Sequence, residues 1–161
     1  MICGSIAACN SATNVATQQA LEPTDSAIVW DGQKVQKTAA EWQQQLTANQ
    51  YNVLRNKATE RAFTGHLYDK KDKGMYCCAA CGLPLFSSKT KFDSGTGWAS
   101  FYAPITTKNV GELADQSHGM TRTEVVCNRC DGHLGHVFDH ATPTGLRYCI
   151  NDVSLNFVPE K

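Results

Sequence analysis

Two CxxC pairs constrain the fold of this chain more than any other feature of its sequence. Two thiolates three residues apart can turn their sulfur atoms toward one point, and two such turns brought together present four sulfurs as a tetrahedron, which suits Zn²⁺. A long segment separates the pairs, so the metal would join two distant hairpins. The predicted ligands of one structural zinc ion per chain are Cys78, Cys81, Cys127 and Cys130.

Other interpretations of these pairs fit the sequence less well. A thioredoxin-like redox motif requires a βαβ setting, which the sequence does not indicate. A zinc-dependent hydrolase needs an open coordination position, and four sulfur ligands close the site. Two unrelated turns remain as the simple alternative. Cys77, beside the first ligand, is expected to be a core cysteine.

The pattern of apolar residues predicts a mainly β fold with short N-terminal helices. Capping boxes at Thr38/Glu41 and Thr47/Gln50 indicate two helices before residue 58. From Gly74 onward, short apolar or alternating runs are separated by Gly, Pro, Asn and Asp, which is typical of antiparallel sheets. These runs are residues 75–78, 83–86, 123–127, 135–139, 146–150 and 153–157.

The N-terminal residues 1–27 are rich in Ala, Ser, Thr, Gln and Asn. This composition predicts a flexible tail before a single domain over residues 28–161.

The chain carries 15 basic and 15 acidic residues, so it has no excess of positive charge with which to bind nucleic acid. No apolar run approaches the ~18 residues of a transmembrane segment. The apolar N-terminus is short and has no basic flank, so it is not a complete signal peptide, and a cytoplasmic protein is expected. Residues 6–9 also resemble the end of a bacterial lipoprotein signal, which would place the protein in the bacterial envelope or periplasm with a lipid on Cys9.

A second group of residues indicates nucleophilic chemistry. In a strand, Arg147, Cys149 and Asn151 share one face, so a guanidinium, a thiol and an amide lie side by side. A cation two residues away favours the thiolate. Trp98 follows a glycine-rich turn, and His133 and His136 flank Gly135, where a strand or bulge allows both to face one pocket. Taken singly, each would be an ordinary core or satisfied polar residue. Together they suit attack on a small polarised electrophile whose oxygen takes up a proton.

Four motifs in order resemble the methionine-R-sulfoxide reductases of the B type, over about residues 36–161. The motifs are CGLPLF (81–86), KFDSGTGWASF (91–101), CNRCDGHLGHVFD (127–139) and GLRYCINDVSLNF (145–157). The resemblance implies two antiparallel sheets in a β-tent around a pocket, with the structural zinc away from that pocket. It also implies reduction of methionine R-sulfoxide, free or in oxidised proteins, as a repair of oxidative damage.

The resemblance further implies a role for each site residue. Cys149 attacks the sulfoxide sulfur and becomes a sulfenic acid, and Trp98 packs against the substrate methyl group. Arg147 holds the thiolate. His133, His136 and Asn151 bind or protonate the sulfoxide oxygen.

The chain departs from the family pattern at Thr96, where many members carry the cysteine that resolves the sulfenic acid. Candidate resolving cysteines are Cys9 and Cys3, in a tail that could reach the site. Direct reduction by thioredoxin or another thiol is the alternative. A lipid on Cys9 would exclude that residue as a resolver. The segment 139–145 is also shorter than usual, and His140 within it receives no role.

The main competing function is a non-catalytic, zinc-stabilised β-tent module that binds a ligand. Such a module would use an aromatic cage and would not need Cys149 with Arg147 and Asn151 beside it.

Overall fold

The computed structural model describes residues 28–160, and it confirms the mainly β architecture. Within this range two short α-helices precede nine strands in two antiparallel sheets. The helices are α1 (Ala39–Gln45) and α2 (Ala48–Asn56). The strands are β1 (Gly74–Cys78), β2 (Pro84–Ser87), β3 (Lys91–Phe92), β4 (Ala99–Phe101), β5 (Val110–Asp115), β6 (Arg122–Cys127), β7 (His133–Asp139), β8 (Leu146–Ile150) and β9 (Leu155–Pro159).

Both predicted capping boxes begin a helix. The Thr38 hydroxyl accepts from the Glu41 amide, and the Glu41 carboxylate accepts from the Thr38 amide. Thr47 and Gln50 repeat the arrangement at α2. These side chains satisfy amide groups that the first turn of a helix leaves without partners. The short helices are then held by packing, because each places large apolar residues in the core.

The core lies between the two sheets. The smaller sheet has the order β2-β1-β9, and the larger has the order β3-β4-β8-β7-β6-β5. Aromatic residues from both sheets meet in the middle. The rings of Phe86 and Phe101 stack with centroids 4.5 Å apart, and Tyr76 meets Phe101 edge-on at 5.0 Å. All three are fully buried, so this cluster joins β1 and β2 to the large sheet.

Strand register on the large sheet sets the positions of the polar residues. Cys149 on β8 lies opposite His136 on β7 and Ser100 on β4, so these three side chains share one face. The pairing of β6 with β7 contains a bulge, because Val125 lies opposite Gly135 while the next residue, Val126, lies opposite His133. The extra residue, Leu134, brings both histidines to the same side, and their ring centroids are 5.4 Å apart.

Gly135 permits the close approach of β7 to β8. A Cβ atom at this position would lie 2.0 Å from the carbonyl oxygen of Cys149. Any side chain here would displace the strand that carries Cys149.

The N-terminal tail (residues 1–27), including Cys3 and Cys9, lies outside the described residues. Neither helix between residues 28 and 160 has the length and apolar character required to cross a membrane.

Candidate active site and metal centre

The four cysteines of the CxxC pairs converge at one point, where the ends of β1 and β6 meet. Their sulfur atoms all lie within 4.8 Å of one another. The Sγ–Sγ distance is 3.7 Å between Cys78 and Cys130, and 3.5 Å between Cys81 and Cys127. A tetrahedral zinc ion with Zn–S bonds of about 2.3 Å separates its sulfur ligands by about 3.8 Å. The donor set and its spacing therefore fit a metal ion.

The two cysteine turns have the same backbone hydrogen bonds. The amide of Gly82 donates to the carbonyl of Cys78, and the amide of Asp131 donates to the carbonyl of Cys127, each at 2.8 Å. The residue after the second cysteine takes a positive φ in both turns, +74° at Gly82 and +56° at Asp131. In the second turn an aspartate rather than a glycine adopts the left-handed conformation, which Asp tolerates better than most residues.

Cys149 opens into a pocket of about 200 Å³ on the face of the large sheet. Five of the predicted site residues line it: Trp98, His136, Arg147, Cys149 and Asn151. His133 is outside this lining. The remaining lining residues, which the sequence did not single out for this role, are Thr59, Thr96, Arg122, Gly135 and Phe138.

Two opposing effects set the pKa of the Cys149 thiol. Burial raises the pKa, while the Arg147 charge and hydrogen bonds from Arg147 and Thr96 lower it. Burial is the larger effect, so the pKa lies above its usual value. The sequence argument considered the influence of Arg147 but gave no measure of the burial that outweighs it.

Arg147 is fixed by contacts on both sides. Its Nη1 donates to the Thr96 hydroxyl at 3.3 Å, and its guanidinium lies over the Phe138 ring, 5.1 Å from the centroid. The hydroxyls of Thr96 and Ser100 each lie 2.8 Å from that of Ser94. Thr96 thus connects the guanidinium to a row of hydroxyl groups beside Cys149.

Replacing Arg147 with methionine is expected to raise the pKa of Cys149 further, because the buried thiolate loses its cation. Each unit of increase reduces the thiolate fraction at neutral pH about tenfold. Alkylation of Cys149 by iodoacetamide, followed by mass spectrometry, should therefore slow at neutral pH by about tenfold or more, with its pH profile displaced toward alkaline pH. Arg61→Met removes an exposed charge and serves as the control. An unchanged or acid-shifted profile for Arg147→Met contradicts the assignment.

Glu60 anchors two walls of the pocket, although no sequence pattern pointed to it. Its backbone carbonyl accepts from the Trp98 indole at 3.2 Å, and its amide donates to Asn151 Oδ1 at 3.0 Å. Its carboxylate accepts from the backbone amides of Asp152 and Val153. The Asn151 side-chain amide also donates to the Leu134 carbonyl at 2.9 Å, which leaves one amide hydrogen for the pocket.

The irregular segment 57–73, between α2 and β1, is held against the large sheet by Asp152. One Asp152 oxygen accepts from the amides of Leu67 and Tyr68 at 2.6 and 2.8 Å, and the other accepts from Ala99 at 3.2 Å. Asp152 is only 4% exposed, and burial raises the pKa of its carboxyl group. Its position fixes the segment that contributes Thr59 to the pocket.

The two histidines have different surroundings. His133 is 2% exposed, and its Nδ1 lies 2.8 Å from Glu124 Oε1. Burial lowers the His133 pKa, while Glu124 opposes that shift. His133 Nε2 has no hydrogen-bond partner among the described residues. His136 instead lines the pocket, and its Nε2 lies 2.8 Å from Asp115 Oδ2.

Comparison with known proteins identifies the family. The SelR domain model matches residues 46–159. The chain is 57% identical to a peptide methionine sulfoxide reductase MsrB of Leptospira interrogans, over 79% of this chain and 98% of that protein. It is 62% identical to the MsrB of Pseudomonas syringae, over 78% of this chain and 97% of that protein. It is 59% identical to the MsrB of Methanosarcina barkeri, over 79% of this chain and 90% of that protein. The chain therefore belongs to the SelR domain family, the MsrB methionine sulfoxide reductases.

Proposed function

We propose that this protein reduces methionine R-sulfoxide, free or within oxidised proteins, to methionine, and that Cys149 is the nucleophile. The observation that carries the proposal is the Cys149 thiol, which opens into a pocket beside Arg147 and Trp98 in a chain of the MsrB family. The pocket combines a nucleophile, a cation and a histidine with an aromatic wall.

The proposed reaction begins when the Cys149 thiolate attacks the sulfoxide sulfur. A bond forms between Cys149 Sγ and the substrate sulfur, and the substrate oxygen takes up a proton. The oxygen then transfers to Cys149 Sγ as the substrate S–O bond and the new S–S bond both break, so methionine leaves with an electron pair on its sulfur and Cys149 becomes a sulfenic acid. The substrate is reduced by two electrons and the thiol is oxidised by two. The substrate oxygen becomes a better leaving group when it is protonated, so a proton donor in the pocket accelerates the step.

Each of the other predicted site residues has a proposed task in this step. Trp98 packs against the methyl group of the substrate, and Arg147 stabilises the thiolate. His136 donates the proton to the sulfoxide oxygen. The remaining side-chain N–H of Asn151 donates a hydrogen bond to the same oxygen. His133 assists from behind His136, because it is buried and its ring is 5.4 Å from that of His136.

The metal at Cys78, Cys81, Cys127 and Cys130 is proposed to be a structural Zn²⁺ ion, one per chain. Four sulfur ligands leave no coordination position for a substrate. When bound, zinc would hold the turn that follows β1 against the turn that follows β6, and these two elements belong to different sheets. It would therefore stabilise the β-tent arrangement from a position outside the catalytic step.

The sulfenic acid must be reduced by a second thiol, and Thr96 cannot supply one. Between residues 28 and 160, the cysteines besides Cys149 are the four of the metal cluster and the buried Cys77. The proposed reductant is therefore Cys9 or Cys3 in the tail, or thioredoxin or another thiol acting directly on Cys149.

A Cys3→Ser/Cys9→Ser double variant distinguishes these routes. If the tail supplies the resolving thiol, turnover coupled to thioredoxin is lost while turnover with dithiothreitol remains. Equal turnover of variant and wild type with thioredoxin assigns direct reduction and excludes the tail. The assay follows NADPH oxidation through thioredoxin reductase, with methionine measured in parallel.

We also propose residues 28–161 as the catalytic domain, preceded by the tail. Contacts at the start of the described chain support this boundary, since the Trp30 amide donates to Asn109 Oδ1 at 2.7 Å and the Val35 amide to the Arg129 carbonyl at 2.7 Å.

The proposed location of the protein depends on whether Cys9 carries a lipid. A lipid on Cys9 supports the bacterial envelope, and an unmodified Cys9 supports the cytoplasm. Mass spectrometry of the N-terminal peptide, with or without a lipid on that residue, distinguishes them.

The test of the proposed function uses a methionine sulfoxide peptide prepared separately as its R and S epimers, with zinc-loaded enzyme and dithiothreitol. We expect turnover of the R epimer and none of the S epimer. No turnover of either epimer would favour the non-catalytic ligand-binding module.

A further inference from the structure

Asp115, at the end of β5, contacts His136, which lines the Cys149 pocket. Its Oδ2 lies 2.8 Å from His136 Nε2 and accepts from Arg122 Nη2 at 2.8 Å. Its Oδ1 accepts from the Ser117 backbone amide at 2.9 Å. The carboxylate is 15% exposed, and three donors from different parts of the chain fix both of its oxygens.

Strand pairing aligns these groups with the thiol. Asp115 pairs with Arg122 across β5 and β6, while His136 pairs with Cys149 across β7 and β8. Asp115, Arg122, His136 and Cys149 thus lie on one face of the large sheet, and the last three line the same pocket. Asp115 itself is outside that lining, so its carboxylate would influence the substrate through His136.

The charge of Asp115 decides which nitrogen of His136 carries hydrogen. Hydrogen bonds from Ser117, then from His136 and Arg122, hold the pKa of this carboxyl well below its usual range, so it is ionised at neutral pH. An ionised carboxylate only accepts hydrogen bonds. The hydrogen of the neutral imidazole must therefore be on Nε2, and Nδ1 is left as the nitrogen that can take up and release a second proton.

We propose that Asp115 is a positioning residue for catalysis, which fixes the orientation and the Nε2–H tautomer of His136 so that Nδ1 delivers the proton to the sulfoxide oxygen. The inference rests on the proposed function and adds to it the residue that prepares the proton donor. Carboxylates that orient a catalytic histidine in this way have large effects on kcat without contact with substrate.

Asparagine at position 115 keeps the shape of the side chain and loses one acceptor. All three groups around the carboxylate donate hydrogen, whereas an amide presents one acceptor oxygen and one NH₂ group. If the asparagine oxygen faces the Ser117 amide, its NH₂ group faces His136 and Arg122. His136 Nε2 can accept a hydrogen bond from that NH₂ group only when the imidazole hydrogen has moved to Nδ1. Glutamate at the same position retains the charge with a longer side chain.

The experiment compares wild type, Asp115→Asn, Asp115→Glu and, as a matched control, Asp69→Asn, which makes the same chemical change at an exposed site. Two readouts are collected for each protein after zinc content and Tm are matched. One is kcat and KM for the R-sulfoxide peptide. The other is the His136 tautomer, from the ¹⁵N chemical shifts of imidazole-labelled protein, with His136→Gln used to assign the signals.

For Asp115→Asn we expect kcat to fall about 10²-fold, within the range of general acid catalysis, with KM changed less than about threefold. The His136 hydrogen is expected to move from Nε2 to Nδ1. Asp115→Glu should recover part of kcat, and Asp69→Asn should match wild type in both readouts. An Asp115→Asn enzyme with wild-type kcat, or one that loses kcat while His136 remains in the Nε2–H form, overturns the proposal.

The two readouts also separate this inference from the proposed function. The tautomer is measured without substrate, so a wild type that fails to reduce either epimer contradicts the proposed function alone. A wild-type His136 with its hydrogen on Nδ1 contradicts the role of Asp115 even if the enzyme is fully active.

Discussion

Cys149→Ser is expected to abolish the reduction of methionine R-sulfoxide, with a loss in kcat of at least about 10³-fold. A serine hydroxyl is not ionised in this pocket at neutral pH, and it cannot form the sulfenic acid on which the reaction depends. The substitution replaces one atom and leaves the β7–β8 register intact. Methionine formed from the R-epimer peptide with dithiothreitol, quantified by chromatography, is the measurement.

The loss is attributable to the nucleophile only if the variant is otherwise intact. Its zinc content and Tm should equal those of wild type, and it should still bind the R-epimer peptide, as measured by calorimetry. Residual turnover above a few per cent of wild type would mean that another group carries the reaction.

Removing the metal is expected to unfold the domain. Structural zinc in zinc-finger peptides contributes roughly 10–16 kcal/mol to folding, while a typical domain has a free energy of unfolding of about 5–15 kcal/mol. A strong chelator, or Cys127→Ser, should therefore eliminate the cooperative thermal transition followed by circular dichroism. Metal analysis by mass spectrometry should find about one zinc per chain in wild type and far less in the variant.

Cys77→Ser is the matched control for this prediction. Cys77 is adjacent to Cys78 on β1 and is buried, but it does not belong to the cluster. Its substitution should retain zinc and cost about 1–3 kcal/mol, the penalty for burying a hydroxyl without a good partner. A chelated protein that keeps the Tm of wild type would contradict a structural role for the metal.

The parts of the structure that the sequence predicted are those set by local chemistry. Each capping box involves residues three apart, and each CxxC turn is closed by hydrogen bonds within six residues, so both are visible in the printed sequence. The β8 motif similarly placed Arg147 and Cys149 on one face by alternation alone.

The parts that were missed depend on strand pairing between distant segments. β4 and β5 escaped prediction because Ala99–Phe101 is three residues long and fully buried, while Val110–Asp115 is half-exposed and its apolar residues do not alternate with polar ones. Without β5, nothing indicated that Asp115 lies beside His136. Glu60 was missed for a related reason, because its segment is irregular and its contacts reach Trp98 and Asn151, far along the chain.

The His133–His136 pair shows the limit of pattern reasoning within one strand. Residues three apart in a regular strand point to opposite faces, and only the bulge at Leu134 brings both rings together. The sequence allowed a bulge at Gly135 without requiring one. It also gave no basis for ranking the two histidines, whereas the structure gives His136 access to the pocket and leaves His133 2% exposed.

A single turnover without reductant tests the central claim most directly. Zinc-loaded Cys3→Ser/Cys9→Ser enzyme, in which the tail cannot convert the sulfenic acid to a disulfide, is reduced, freed of thiols and mixed with excess R-epimer peptide in the presence of dimedone, which traps sulfenic acids. We predict about one methionine formed per chain and one dimedone adduct, located on Cys149 by peptide mass spectrometry. Methionine formed without an adduct on Cys149, or no methionine at all from folded enzyme, would contradict the account.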